Sequence, residues 1–341
     1  MKQNSQINIK TLKQLPKNSE FKFTGIATRI STRTDRNGNT FWDIAVSDRS
    51  GDIEGKAWGT AIWWNEQGGD RFRIDPENCG FKIEGLVVGI LGRVGDFKDQ
   101  LQYSFDEIHV LDQNKYPPRN FTKRSPVSQE ILETTFKNLL SEISNEEIKN
   151  FLNAVFFKHN LWEKYSVWPA AQVLHHAYAA GLLEHSVSVA IGSRDMAKHY
   201  EDFKIPVDLD ILIAGALLHD IGKIESYSAV PAPSVTIQGN VLEHIFLGYG
   251  MFMKFAELEN LDENIKLALA HIIISHHGRK EFGSPVLPAT PEAFIVSAVD
   301  NVDFQMNYWK NQIENLTPQN DVTEYLPMLD RRLWRGIKTE K

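Results

Sequence analysis

His219 and Asp220 are neighbours in the segment Ala-Leu-Leu-His-Asp-Ile-Gly-Lys-Ile, where they place an imidazole and a carboxylate one backbone step apart. Both groups are common ligands of divalent cations, so the pair predicts a metal site with Asp220 as a catalytic residue. Lys223 follows four and three residues later, which on a helix puts its ammonium over the same face. We predict that Lys223 is also catalytic and contacts a substrate phosphate.

Further nitrogen and oxygen donors recur along the chain at intervals of 24 to 34 residues. Each interval is about one helix and a turn at ~1.5 Å rise per residue, so a helical bundle can direct one donor per helix to a common centre. The donors exceed what one tetrahedral ion takes, which predicts one or two divalent ions, and a set without thiolate suits Mn, Mg, Fe, Ni or Zn. The predicted metal ligands are His185, His219, Asp220, His244, His276, His277 and Asp300.

Most of the 11 histidines lie within residues 175–277, in otherwise apolar helical sequence. A single histidine in such a setting is usually a hydrogen-bonded core residue. A whole set is costly to bury unless its members are paired or bound to metal. The set therefore favours the metal site, although the sequence does not decide between His276 and His277 as a ligand.

The order of these donors resembles that of the HD phosphohydrolase superfamily, whose all-helical members are metal-dependent hydrolases of phosphate esters. Closer still is a resemblance to the bacterial YhaM-type 3′-to-5′ exoribonucleases, which carry an OB-fold nucleic-acid-binding domain ahead of the HD domain. The segments that carry it are Pro169-Ala170-Ala171, His175-His176-Ala177-Tyr178, Gly181-Leu182-Leu183-Glu184-His185, His219-Asp220-Ile221-Gly222-Lys223, Ser275-His276-His277-Gly278 and Glu281-Phe282-Gly283-Ser284-Pro285.

The sequence departs from that pattern at two places. Glu243 stands where the family tends to have a small residue, directly before His244, and Phe304-Gln305 replaces a small and a basic residue in the last ligand helix. Neither departure removes a predicted ligand. They bear on substrate preference and processivity, and Glu243 is a candidate additional oxygen donor or partner of His244.

The length of 341 residues exceeds what one hydrophobic core usually organises, so two domains are predicted. Residues 112–126 contain three prolines and four basic groups without an apolar period, which is typical of a linker. We therefore predict a nucleic-acid-binding domain at 1–111, the linker at 112–126, an HD phosphohydrolase domain at 127–315 and a C-terminal tail at 316–341.

Charge divides at the same place. Through Arg124 the chain has 19 Lys and Arg against 16 Asp and Glu, a net +3, which leaves 18 against 28, a net −10, for the remainder. An acidic protein is a poor candidate for coating nucleic acid nonspecifically, because phosphate attraction needs cations. A weakly basic N-terminal domain can still hold a strand, while bound divalent cations offset part of the acidic excess.

The N-terminal region alternates apolar and polar residues in five stretches separated by turn residues such as Asn37-Gly38, which predicts an all-β OB-fold barrel. A short helix is predicted within 61–80, where OB-folds commonly place one. The predicted strands are Phe21–Ile30, Thr40–Ser47, Asp52–Trp58, Phe81–Val94 and Leu101–Leu111.

Aromatic and basic side chains alternate on these strands in the mixture that binds single-stranded nucleic acid by stacking and charge. About half of such aromatic residues normally belong to a barrel core. The predicted nucleic-acid-binding residues are Arg29, Arg33, Arg36, Phe41, Trp42, Lys56, Trp58 and Tyr103.

From residue 127 the period is helical, which predicts an all-α second domain. Thr290-Pro291-Glu292 has the N-cap, first-turn proline and acidic residue of a helix start, placing Asp300 on the helix that follows. The loops at 230–239 and 278–288 are predicted to border the substrate cleft, because loops beside a rigid scaffold commonly carry substrate contacts.

A single cysteine, Cys79, cannot form an internal disulfide, which predicts a reducing compartment. The N-terminus lacks the apolar stretch of a signal peptide, and the longest apolar stretches, such as Ile211–Leu218, fall short of the ~20 residues of a membrane span. A cytoplasmic protein without a membrane partner is expected.

Taken with the resemblance, these features predict a metal-dependent 3′-to-5′ exoribonuclease that acts on single-stranded RNA, with single-stranded DNA as a further substrate. The direction of attack is implied by the resemblance alone. Two alternatives stay open: a hydrolase of a small nucleotide or cyclic dinucleotide with a regulatory OB module, and a noncatalytic RNA-binding adaptor. Whether copies of the chain form a homo-oligomer is also left open.

Overall fold

The computed structural model describes residues 7–97, 100–172, 176–314, 316 and 320–337. The chain divides into two compact units. The first runs to Arg124 and includes Ser228–Ser234, and the second comprises Ser125–Tyr227 and the chain from Val235 onward.

The first unit is a closed β-barrel preceded by one helical turn. The elements are α1 (Ile9–Leu12), β1 (Glu20–Thr34), β2 (Thr40–Asp48), β3 (Gly51–Trp58), β4 (Ile62–Asn65), β5 (Phe72–Arg73), β6 (Val87–Phe97) and β7 (Gln100–Val110). Five of the strands pair in the order β3-β2-β1-β6-β7, and a parallel pairing of Gly55 with Tyr103 joins β3 to β7. Five strands closed in this way form the OB-fold barrel that the sequence predicts.

The alternation of side chains along the strands fills the barrel. Ile44 and Val46 on β2 are buried and pair in register with Gly55 and Ile53 on β3. At Gly55 a Cβ atom would lie 2.3 Å from the Phe105 ring, so glycine is needed for that ring to occupy the interior.

The predicted helix within residues 61–80 is wrong, because strands β4 and β5 occupy part of this segment. β4 pairs in parallel with β7, and β5 pairs antiparallel with β4. The β-branched and aromatic run Ile62-Trp63-Trp64 favours an extended strand, and Trp63 is buried in the barrel core. The next barrel strand begins at Val87, after a turn with Gly85 at φ 92°, and not at Phe81.

The segment predicted as a linker is partly attached to the barrel. It contains a 3₁₀ turn at Pro118–Asn120, and the Arg119 carbonyl accepts a hydrogen bond from Arg49. Lys123 forms an ion pair with Asp52. Residues through Arg124 therefore belong to the first unit.

The second unit is all-helical. The helices are α2 (Gln129–Glu142), α3 (Glu146–Asn153), α4 (Trp162–Tyr165), α5 (Gly181–Glu201), α6 (Leu209–Leu218), α7 (Lys223–Ser226), α8 (Ile237–Leu258), α9 (Glu263–Ser275) and α10 (Pro291–Glu314). The central helix α6 is buried along nearly its whole length and packs against α5, α9 and α10.

Helix α10 begins where the sequence predicts. Its first residue is Pro291, and the Thr290 hydroxyl accepts a hydrogen bond from the Ala293 amide. Within the described ranges, none of the helices combines the length and apolar character that a membrane crossing requires.

Candidate metal centre and barrel surface

The His-Asp pair lies where α6 ends. His219 is the C-terminal cap of α6, Asp220 follows it, and α7 begins at Lys223. A Cβ atom at Gly222 would lie 2.0 Å from the His244 carbonyl oxygen. Glycine at this position therefore allows α8 to approach, and the approach brings His244 Nε2 to 3.5 Å from Asp220 Oδ1.

One group of donors surrounds Asp220 Oδ2. His185 Nε2, from α5, lies 3.1 Å from this oxygen, and His219 Nε2 lies 3.3 Å from it. Asp300, from α10, places Oδ1 3.1 Å from His185 Nε2 and 3.8 Å from His219 Nε2. These four side chains form one potential coordination site.

A second group of donors surrounds Asp220 Oδ1. His276, the C-terminal cap of α9, places Nε2 3.6 Å from this oxygen. His277 Nε2 lies 3.2 Å from His244 Nε2, and these two nitrogens and that of His276 are close enough together to bind one ion. The structure therefore brings all seven predicted ligands together, and both His276 and His277 take part.

Hydrogen bonds to main-chain carbonyls orient three of the imidazoles. A ring whose Nδ1 proton is donated to a carbonyl presents a lone pair on Nε2, which is the state that binds a cation. The Nδ1–carbonyl pairs are His219 with Ala216 at 2.8 Å, His276 with Ile273 at 2.7 Å and His277 with Phe282 at 2.6 Å.

Burial sets the charge of two rings of the second group. It lowers the pKa of His244 to about 3 and the pKa of His276 well below its ordinary value. Both rings are therefore neutral near pH 7 and offer a nitrogen lone pair.

The carboxylates are ionised in spite of burial. Desolvation by itself raises the pKa of Asp220, but the charge of Lys223 holds it well below its ordinary value. The pKa of Asp300 is likewise lowered, against desolvation, by its hydrogen bond with His185. Burial opposes protonation of His185, yet hydrogen bonds to carboxylates, led by Asp220, raise the pKa of this ring.

The hydrogen bonding of two buried atoms indicates whether the site suits a cation. Among the residues that the structure describes, neither Asp220 Oδ1 nor His276 Nε2 has a hydrogen-bond partner. Leaving such an atom unsatisfied costs about 1–3 kcal/mol, and more when the group is charged. Coordination of a divalent cation would satisfy both atoms, and neutral imidazoles with carboxylates are ligands that such ions accept.

A further layer of buried polar groups supports His185. The sequence analysis did not predict these groups. Asp303 Oδ2 accepts hydrogen bonds from His185 Nδ1 at 2.8 Å and from His176 Nε2 at 2.9 Å, and its Oδ1 accepts one from Ser188 at 2.6 Å. Tyr178 contacts the other nitrogen of His176 at 2.9 Å. Asp303 lies three residues after Asp300 on α10, a spacing that indicates a shared helix face and was the available signal.

Lys223 is buried, and its Nζ lies 2.6 Å from Asp220 Oδ2. The Glu243 side chain is exposed, but its backbone has φ 62° and ψ 156° inside α8, so the helix is broken directly before His244. Phe304 stacks on Tyr308, and Gln305 bonds to its own helix at Asn301. His175, in the His-His-Ala-Tyr segment, lies outside the described residues.

The outer face of β1 to β3 carries five of the residues predicted to bind nucleic acid. The rings of Phe41 and Trp58 lie 5.1 Å apart across the β2–β3 pair. Lys56 Nζ lies 4.9 Å from the Phe41 centroid and 5.6 Å from that of Trp58. On β1, Arg29 is ion-paired with Glu54 of β3, and Arg33 is ion-paired with Asp43 of β2.

The remaining three predicted residues lie elsewhere. Arg36 is exposed in the turn between β1 and β2. Trp42 lies on the inner face, with its ring 5.8 Å from that of Trp63, so we leave it out of the proposed binding surface. Tyr103 is half-buried against Phe21 and lines a shallow cavity on the barrel.

Residues 182–305 match the family model described as "HD domain". The second unit contains an HD domain. This domain indicates a metal-dependent phosphohydrolase, and its ends enclose every predicted ligand from His185 to Asp300.

Two solved structures resemble the first unit. One is the second OB-fold domain of replication protein A from Methanococcus maripaludis, with 16% identity, 31% of this chain and 94% of that chain covered, and a TM-score of 0.21. The other is a replication protein A heterotrimer bound to ssDNA, with 20% identity, 30% of this chain and 66% of that chain covered, and a TM-score of 0.20. The OB-fold assignment of the barrel rests on its strand order and closure.

We predict that Asp303→Asn weakens metal binding. The neutral amide accepts weaker hydrogen bonds from the two imidazoles than the ionised carboxylate does, so the orientation of His185 is less firmly fixed, and partners of this kind are worth about 10- to 100-fold in affinity. Titration calorimetry with Mn²⁺ measures the change. Asp195→Asn, an exposed acid on α5, is the matched control and is expected to leave affinity unaltered. Equal affinities of Asp303→Asn and the unmodified protein would refute the positioning role.

Proposed function

We propose that this protein is a metal-dependent phosphodiesterase that removes nucleotides from the 3′ end of single-stranded RNA and also accepts single-stranded DNA. The observation that carries the proposal is the clustering of seven predicted nitrogen and oxygen ligands, Asp220 among them, with a buried lysine on the Asp220 carboxylate. The 3′-to-5′ direction is supported by the resemblance of the sequence motifs. Nucleoside monophosphates are the expected products.

Hydrolysis requires an activated water and stabilisation of charge on the phosphoryl oxygens. The chemistry that divalent cations supply when bound is a lowered pKa of water and polarisation of a phosphoryl oxygen. His185, His219, Asp220 and Asp300 would hold one cation. Asp220 would be shared with a second cation, held by His244, His276 and His277.

Lys223 complements this arrangement. An ammonium has three N–H donors, and the Asp220 carboxylate lies within hydrogen-bond distance of one. We assign another donor to a phosphoryl oxygen of the substrate, where it would offset the charge that develops during displacement. The same ammonium keeps Asp220 ionised, because it lowers the pKa of that carboxyl.

The barrel would contribute to binding of the single-stranded nucleic acid. Trp58, which is 38% exposed, offers an aromatic surface to the bases, and Phe41, which is 8% exposed, packs against it. Lys56, Arg29 and Arg33 provide cations beside it for the phosphates. Because two of these cations are already ion-paired on the barrel, most of the gain is expected from Trp58 and Lys56.

The proposed activity is tested with single-stranded RNA labelled at its 5′ end, in Mn²⁺ or Mg²⁺, followed by sizing of the products. A ladder that shortens from the 3′ end is expected, and His219→Ala should abolish it and lower the bound metal. His199→Ala, an exposed histidine on α5, serves as the control. Intact RNA with the unmodified protein, or full activity of His219→Ala in chelator-treated buffer, would refute the proposal.

We predict that Lys223→Ala lowers kcat by about 10²- to 10³-fold, the usual loss when one preorganised donor to a developing charge is removed. Metal content and RNA affinity are expected to remain near normal. Measurement of kcat beside bound metal decides the role: an unchanged kcat refutes catalysis, and lost metal assigns the lysine to support of Asp220. Lys266→Ala removes a lysine that is also paired three residues away on a helix, and it should change neither quantity.

On the barrel, Trp58→Ala is expected to weaken RNA binding by about 5- to 150-fold, since base stacking on an aromatic ring is worth about 1–3 kcal/mol. Lys56→Ala should reduce the slope of log affinity against log salt by about 0.7, the value for one phosphate contact on a single strand. Fluorescence anisotropy at several salt concentrations measures both. Phe72→Ala, an exposed aromatic on β5, is the control, and a loss equal to that of Trp58→Ala would contradict the assignment.

A further inference from the structure

The loop after α9, residues 278–288, presents cations and an aromatic ring directly beyond two predicted metal ligands. We propose that this loop is a subsite for the terminal nucleotide of the single-stranded substrate. Phe282 would stack on the base, and Arg279 and Lys280 would contact the phosphate. The inference rests on the proposed function for the identity of the strand.

The loop is fastened to the metal centre. The Phe282 carbonyl accepts the Nδ1 hydrogen bond of His277 at 2.6 Å, and the Nε2 of the same ring lies 3.2 Å from His244 Nε2. The Ser284 amide donates to the Arg279 carbonyl at 3.2 Å and closes the turn, in which Gly283 has φ 99°. A nucleotide held by this loop is therefore beside the ligands of the centre.

The surface of the loop has room for a nucleotide. It borders an open cavity of about 470 Å³, which is within the usual ~300–1,000 Å³ of small-molecule sites. Phe282 and Leu287 are 59% and 54% exposed and give the cavity two apolar walls. Large apolar side chains exposed beside a reaction centre are costly in water, and a planar base would cover them.

The charges of the loop suit a phosphate. Arg279 lies over the Phe282 ring, 5.8 Å from its centroid, in a cation–π contact that holds the guanidinium beside the stacking face. Arg279 and Lys280 are exposed and are opposed within the loop by one acid, Glu281. The chain after Arg124 has 28 acidic against 18 basic residues, so this cationic pair stands out as a point of attraction for a polyanion.

The test uses the full-length protein and an RNA whose last base is 2-aminopurine and whose last linkage is a phosphorothioate, with Ca²⁺ present. Stacking on Phe282 should quench the fluorescence of the probe. Phe282→Ala is expected to remove most of the quench and to weaken binding by about 5- to 150-fold. Phe282→Tyr should retain both, and Arg279→Ala should lower the salt slope by about 0.7.

Two controls make the test specific. Phe203→Ala removes another exposed phenylalanine of the same unit and should leave the quench intact. A probe placed ten nucleotides inside the strand should not respond to Phe282→Ala. Absence of a quench with the unmodified protein, or an equal quench with Phe282→Ala of normal circular dichroism and metal content, would overturn the subsite.

Cleavage of the unmodified RNA in Mn²⁺ separates the two proposals. A Phe282-dependent quench without cleavage supports the subsite and refutes the nuclease. Cleavage together with a quench that is equal in the unmodified protein and in Phe282→Ala refutes the subsite and supports the nuclease.

Discussion

The HD unit is organised by the burial of one carboxylate. Asp220 is 1% exposed, and an ionised carboxylate is costly to remove from water unless charges and hydrogen bonds compensate. Lys223 and His185 compensate at one oxygen, and His244 and His276 face the other. Because each of these groups comes from a different part of the bundle, the packing of the helices determines how far the charge of Asp220 is compensated. The same requirement that stabilises the fold thus assembles a site with two ionised carboxylates and two neutral imidazoles.

The scaffold around that carboxylate is arranged in layers. Helix α6 is buried among α5, α9 and α10 and ends at His219, so the donors lie where several rigid elements meet. Carbonyl groups fix the rings of His219, His276 and His277, whereas a side chain, Asp303, fixes His185. The difference has a physical cause: His219 and His276 are C-caps with carbonyls three residues back within reach, while His185 lies inside α5, where the carbonyls are occupied by the helix.

The residue types and spacing indicated which seven donors come together, because a whole set of imidazoles and carboxylates on apolar helices is costly to bury unless its members are paired or bound to metal. They were insufficient for His276 against His277, since the end of α9 lets neighbouring residues both turn inward. On the barrel, alternation indicated the closing strands except for the start of β6, and it also places Trp42 on the same face as the buried Ile44 and Val46, which was the available signal that this ring faces inward. Asp303 and His176 support His185 and are not among the predicted ligands. The sequence signal for Asp303 was its helical spacing from Asp300. The strand at Ile62–Asn65 depends on pairing with β7, a contact distant in sequence.

The backbone at Glu243 has a consequence for the amount of folded protein. A residue with a side chain at φ 62° and ψ 156° is in a region that glycine alone occupies readily, at a cost of about 1–3 kcal/mol. The unsatisfied atoms of Asp220 and His276 add to that cost. A ligand that binds only the native state offsets such losses in proportion to the logarithm of its concentration. Cations bound as proposed would therefore stabilise the native state against unfolding.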